Sequence, residues 1–346
     1  MQLIRDAALS LPPLKRLYDS RNGWASAYAL MERQNRELSA RVVEMEARLQ
    51  VVSSPFMHFH TVFDPTTYIH KYAVLNLVGS EGYLTNFLGV LIDPKYFPTI
   101  LDGRGGQLEG LPIPGNFHAD AAEWGVALRA VDLSGPTFTM IELGCGWGCW
   151  MNNTGVAARR AGKRVSLTGV EADVSHVAFA NDCCVVNGFN QEQFAVHRGI
   201  AAAHSGVALF PRQERGGMNW GLAPIFGATQ EQTAEGVRTG KYVELPMIGL
   251  DVLLTQHDRV DLLHIDIQGG EADLVHESLP LLNEKVAYML IGTHSREIDG
   301  RLFHDLRASG WVLELERAAI LQLTSGQPEC IADGVEGWRN PRLLPS

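Results

Sequence analysis

TMIELGCGWGCWMNNTGVAARRAGKRVSLTGVE, residues Thr139 to Glu171, is the stretch that decides the fold class. Phe138 to Leu143 are apolar and β-prone, the composition of a strand buried in a parallel sheet. Gly144, Gly146 and Gly148 then bring the backbone tightly round into a helix beginning near Cys149, leaving few side chains in the way of a ligand. A second strand, Val165 to Glu171, follows that helix and ends on an acid.

A dinucleotide fingerprint would read G-x-G-x-x-G, its glycines and helix N-terminus serving a pyrophosphate. This turn reads Glu142-x-Gly-x-Gly-x-Gly. An acid just before the turn repels a pyrophosphate and suits a ligand with an ammonium, a sulfonium and no phosphate, which is S-adenosylmethionine. Glu171 is placed to accept both ribose hydroxyls, as acids do in doubly wound nucleotide folds. The cofactor-side candidates are therefore Glu142, Gly144, Gly146 and Glu171, with Asn187 and Arg198, Gly199 and Ile200 near the adenine. Trp147 reads as core. The missing pyrophosphate spacing disfavours a dinucleotide oxidoreductase.

Working outward, strands and helices alternate regularly: helix Trp150 to Ala161, helix Val174 to Asn187, strand Phe194 to Arg198, strands Asp261 to Asp266, Val286 to Thr293 and Trp311 to Glu316, and a helix about Gly300 to Ala308. That pattern predicts an α/β domain over 135–346 with a doubly wound, mostly parallel sheet. Residues 211–240 interrupt it, with weak periodicity, as a lid or substrate loop. Within it Asn219 and Trp220 offer a polar and an aromatic surface suited to a sugar ring, or are plain loop residues.

Upstream, 53–134 reads as a mainly helical lead-in. Its LPIPGNFHADAAEW segment, Leu111 to Trp124, forces a turn before a helix capped near Asn116 or His118. His118, Asp120 and Glu123 are candidates to line a substrate or cofactor entrance, against a purely structural reading. Over 1–52 the spacing of Trp24, Tyr28, Met31, Asn35, Leu38, Val42, Met45 and Leu49 predicts one helix with a heptad seam. A homodimer through a parallel coiled coil of residues 24–49 and packing of the helix on its own domain both satisfy it.

At 346 residues, 46% hydrophobic and 20% charged, the chain has the composition of a soluble globular protein. A net charge of −10 gives no general attraction to nucleic acid or to anionic membranes, so neither is an expected partner. Five cysteines form no disulfide framework or paired zinc spacing, which fits a reducing cytoplasm. No segment reaches the apolar length of a membrane span.

Two motifs now carry a name. Glu142-Leu143-Gly144-Cys145-Gly146 with Glu171, and above all LLHIDIQGGEADLV from Leu262 to Val275, resemble the FkbM family of S-adenosylmethionine-dependent O-methyltransferases, within the Rossmann-like class I methyltransferase fold. The similarity spans about Phe138 to Leu315; Asp266, Gly269 and Glu271 match the family's D-x-E-G-x-E, while Gln268 stands where Glu is commoner. His294 matches a histidine ending the next strand, and Gly292 replaces an acid two positions earlier. The resemblance implies O-methylation of a hydroxyl on a sugar, glycan or polyketide-like small molecule, with His294 as general base and Asp266 orienting the acceptor. Glu271 reads as a carboxylate at a helix N-terminus, and Gln268 weakens any divalent metal held by a carboxylate cluster. The rival is a non-catalytic S-adenosylmethionine-binding scaffold that recruits a partner through its N-terminal coiled coil.

Overall fold

The computed structural model describes residues 12–324 and 326–345. Helix α1 (Pro12–Ser53) belongs to a unit of its own, and Pro55–Ser346 forms a second, compact unit. The side chains of Trp24 and Tyr28 lie outside the described part of the heptad seam, whereas Met31, Leu38, Val42, Met45 and Leu49 are exposed. Among the described residues no helix is long and apolar enough to cross a membrane.

The second unit is built on an eight-stranded sheet. Its strands are β1 (His60–Thr61), β2 (Thr137–Leu143), β3 (Arg164–Glu171), β4 (Phe194–Arg198), β5 (Leu262–Ile265), β6 (Tyr288–Thr293), β7 (Val312–Arg317) and β8 (Gly334–Arg339). They lie in the order β1-β7-β8-β6-β5-β2-β3-β4. From β6 to β4 every pairing is parallel, while β8 runs antiparallel to both neighbours, between β6 and β7.

Side-chain alternation along the strands divides the core into two layers. Phe138, Met140, Leu262 and Leu290 face helices α3 (Ala121–Leu133), α4 (Cys149–Arg160) and α5 (Val174–Val186). Ile141, Leu143, Leu263, Ile265 and Ile291 face the short helix Leu250–Thr255, α6 (Glu271–Lys285) and α7 (Arg296–Ala308). Helices on both faces of a mostly parallel sheet are the doubly wound arrangement that the alternation of elements predicts.

Three differences from the sequence reading have physical causes. Residues 53–134 are not mainly helical. Besides α2 (Pro65–Tyr72) and α3 they hold β1, two 3-10 turns and a pair of two-residue strands, Leu84–Thr85 and Leu91–Ile92. Glycines with positive φ at 82, 89, 103 and 106 break any helix there, and Leu84, Leu88, Ile92, Tyr96 and Leu101 enter the core from short strands and turns instead. The cap of α3 is Asp120, whose carboxylate accepts from Ala122 and Glu123 N–H while Glu123 returns a bond to Asp120 N–H. Finally, residues 211–240 connect two strands of a three-stranded side sheet: Gly206–Pro211 pairs antiparallel with Tyr242–Gly249, which pairs parallel with Ile200–Ala202.

Candidate functional site

The carboxyl ends of β2, β3 and β5 meet at one cavity of about 330 Å³. Beneath it lies the glycine turn. Gly144, Gly146 and Gly148 have φ of +76, +52 and +74, a backbone that side chains rarely adopt. Gly144 and Cys145 N–H both donate to the Val170 carbonyl at 3.0 Å, stitching the turn to β3. A Cβ at Gly144 would lie 1.9 Å from the Asp266 carbonyl oxygen, and one at Gly146 2.9 Å from the Trp220 ring.

Two acids organise this turn. Helix α4 begins after left-handed Gly148 with no side-chain cap, so Glu142 takes that role from β2: its carboxylate accepts Trp150 N–H at 3.1 Å and Met151 N–H at 2.8 Å. Glu171 accepts Gly146 N–H at 2.9 Å through Oε2 and Asp173 N–H at 2.7 Å through Oε1. One lone pair on each oxygen is left for a ligand. Burial pushes Glu142 up to about 8 and Glu171 up to about 7, and burial with the Asp120 charge pushes Glu123 up to about 8.

Glu142, Gly144, Gly146, Glu171, Gly199, His118, Asn219, Trp220 and Asp266, all expected at a site, line this one cavity. Arg198 does not: it ends β4 in register with Glu171, and its side chain is exposed. Trp147, expected in the core, is buried and also touches the cavity. Asn187 ties α5 to Leu91 instead of reaching a ligand, its amide accepting Leu91 N–H and donating to Leu91 O. Trp220 is no open platform for a sugar. His176 stacks on one face at 3.9 Å between ring centroids and Phe97 on the other at 4.5 Å. Burial holds His176 neutral, down at about 4, so its Nε2 accepts Gly217 N–H at 3.2 Å and fastens the loop. His118 is likewise held down, to about 3 by burial, with Nδ1 3.2 Å from Cys149 Sγ.

His294 is not among the lining residues. Its Nδ1 lies 2.9 Å from Glu271 Oε1 and its Nε2 3.3 Å from Asp266 Oδ1. Burial alone would depress it, but Asp266 and Glu271 together outweigh burial and push it up to about 10. An imidazolium has no lone pair left to accept a proton. Burial would raise Asp266, yet His294 and the Gln268 amide, 3.1 Å away, bring its carboxyl below the usual range. Fully buried Glu271 also accepts Ile267 and Gly269 N–H at 3.1 Å, bracing the turn before α6. Asp266, Glu271 and His294 bring ligand atoms within 4.8 Å of one another, and the imidazolium pairs with both carboxylates itself. At Gly292 a Cβ would stand 3.5 Å from Asp266 Cγ, so the missing acid leaves room beside that carboxylate.

Sequence reading did not single out His264 or Gln213, which also line the cavity. His264 was legible only as one more residue of a buried strand, and Gln213 as part of a polar loop.

No protein-family model matches the chain. A protein of Jannaschia sp. (strain CCS1) described as a "Putative methyltransferase" is 42% identical over 265 residues, 76% of this chain and 94% of its own length. The chain belongs to this methyltransferase family. Among solved structures, the methyltransferase is similar to the methyltransferase FkbM of Methylobacillus flagellatus KT, with a TM-score of 0.38, 11% identity, and 64% of this chain and 55% of that one covered. It is also similar to the METTL16 MTase domain, with a TM-score of 0.38, 13% identity, and 80% and 92% covered.

Membership implies S-adenosylmethionine as the methyl donor, and the cavity of this methyltransferase fits it. On the β3 side the lining includes the apolar Ala172, Ile200, Phe210 and Leu222 beside the polar Glu171, Asp173, His176 and Gln213. Toward α3, β2 and the end of β5 it carries the carboxyls of Glu123, Glu142 and Asp266, and no Lys or Arg is among the described lining residues. A base at one end and two cationic centres at the other match that polarity.

Proposed function

We propose that the chain is an S-adenosylmethionine-dependent O-methyltransferase whose acceptor is a hydroxyl of a sugar, glycan or polyketide-like small molecule. The observation that carries the reading is Asp266: a half-exposed carboxylate on the cavity wall, fixed by the His294 imidazolium and the Gln268 amide. The resemblance of Leu262 to Val275 to the FkbM motif supports the same residue.

When bound, the donor supplies a methyl already activated on sulfonium. The remaining work falls to the chain. The free oxygen of Asp266 accepts the hydrogen bond of the acceptor hydroxyl and turns an oxygen lone pair toward the methyl. As the carbon–oxygen bond forms the hydroxyl becomes strongly acidic, so even a carboxylate of depressed pKa takes its proton. His294 is a positioning residue: by keeping Asp266 ionised and in place it keeps the acceptor in line. The roof of Trp220, Phe97 and Phe117 excludes water from the transfer.

The exposed seam positions Met31, Leu38, Val42, Met45 and Leu49 of α1 support a parallel homodimer as the oligomeric state. Sedimentation at several concentrations tests it, and a monomer throughout would refute it.

The test of the reaction is incubation with methyl-deuterated S-adenosylmethionine and a panel of monosaccharides and hydroxylated macrolides, followed by mass spectrometry. Transfer to oxygen that is lost in Asp266→Asn is the expected result. Transfer to nitrogen or carbon, or full activity in the variant, would overturn the reading.

A further inference from the structure

Among the described residues, two side chains on the cavity wall carry a buried polar atom with no hydrogen-bond partner, Gln213 Oε1 and His264 Nδ1. Native proteins pair such atoms, so an orphan in the wall of a cavity marks where a ligand's polar group belongs. The two stand on opposite sides of β2. His264 lies on β5, as the register partner of Glu142, and Gln213 reaches His176 on α5, the helix after β3.

The orientation of the Gln213 amide follows from its neighbour. His176 Nε2 accepts Gly217 N–H, so it presents a lone pair, and the Gln213 nitrogen 3.2 Å away donates to it. The amide oxygen is left as an unpaired acceptor in the cavity wall on the β3 side, the partner that the exocyclic amine of a flat base needs. At the other end His264 is 4% exposed, and its Nδ1 is 3.8 Å from Glu142 Oε1, too far for a hydrogen bond. Neutral imidazole and carboxyl groups together offer a donor and acceptors, the set an amino-acid zwitterion requires.

We propose that Gln213 reads the amine of the donor's adenine and that His264, with Glu142 and Glu123, reads its amino-acid end. The inference rests on the S-adenosylmethionine reading above. The His264 imidazole gives an N–H to the α-carboxylate, and the two glutamates accept from the α-ammonium. The donor is thereby gripped at both ends, with its sulfonium between them.

Titration calorimetry with three probes tests this: S-adenosylhomocysteine; S-inosylhomocysteine, whose base has a carbonyl for the amine; and 5′-methylthioadenosine, which lacks the amino acid. The unaltered protein should prefer the adenine over the hypoxanthine ligand by about tenfold, and Gln213→Leu should lose that preference. His264→Leu should weaken S-adenosylhomocysteine about tenfold and leave methylthioadenosine within about twofold, a result that also certifies its fold. Glu123→Gln should repeat that pattern as a second variant. Equal losses for both ligands, or unchanged S-adenosylhomocysteine affinity, would overturn the His264 assignment. A surviving base preference in Gln213→Leu, or none in the unaltered protein, would overturn that of Gln213. No binding of any probe by the unaltered protein is a different result, and sinks the S-adenosylmethionine reading instead.

Discussion

At position 144 a residue with φ of +76 sits where a Cβ would collide with the Asp266 carbonyl oxygen at 1.9 Å, so β2 and β5 approach as closely as they do only through glycine. Gly144→Ala should cost roughly 1–3 kcal/mol for the backbone conformation alone. The collision adds to that, and thermal unfolding should show a lowered Tm with lost S-adenosylhomocysteine binding; an unchanged Tm would mean that the turn is not this tight. At His294 the prediction concerns pH. Its pKa is raised from 6.5 to about 10, so its contribution to stability is complete below about 6.5 and disappears as pH climbs through about 10. Asp266, lowered from 3.8, contributes above that value and loses its part on acidification. Denaturation followed between pH 6 and 10.5 should therefore show a decline that His294→Gln abolishes. A rate rising with a pKa near 6.5 that this variant removes would instead restore His294 as the base. Residues whose role comes from their chain neighbours, such as the glycines with Glu142 and Glu171, were legible in the sequence. His264 was not, because its meaning arises from register with Glu142 on the neighbouring strand, and neither was Gln213, a loop residue whose partner is on α5.

Among the elements, the segment from Gln213 to Leu222 is held over the cavity by the two stacks on Trp220 and the Gly217 bond to His176. Aromatic stacks contribute about 0.5–1.5 kcal/mol each, so Trp220→Ala should release the segment. Faster proteolytic cleavage between Gln213 and Pro224 and several-fold weaker S-adenosylhomocysteine binding are expected together, whereas weaker acceptor binding with cofactor affinity unchanged would reinstate Trp220 as a sugar platform. Such closure was half legible. The loop announced itself by weak periodicity, but Pro246 inside Tyr242–Gly249 masked the strand that carries its far end. Strand β8 escaped for a related reason: GVEGWR has neither alternation nor β-branched density. Gly337 is nevertheless required there, since a Cβ would come within 2.7 Å of Val126 on α3.

At the scale of the whole molecule, the division at Ser54 and Pro55 makes a separable claim. A chain beginning at Pro55 should keep its Tm within about 2 °C and bind S-adenosylhomocysteine as the full chain does, because the cavity is built entirely from the second unit. A collapse of either would place α1 in the fold of that unit. The alternation of strands and helices made the doubly wound sheet readable, since parallel pairing forces each crossover to leave a helical trace in the sequence. The insertion of β8 left no such trace, yet it bears on how the chain is born. A ribosome delivers β6 and β7 before Gly334–Arg339, the strand that belongs between them. Until that strand emerges, the nascent sheet has two unpaired edges facing a gap, open to another chain. The last strand therefore decides the fate of the sheet: a chain ended at Asp333 should aggregate or be captured by chaperones, and one that includes Gly334–Arg339 should not.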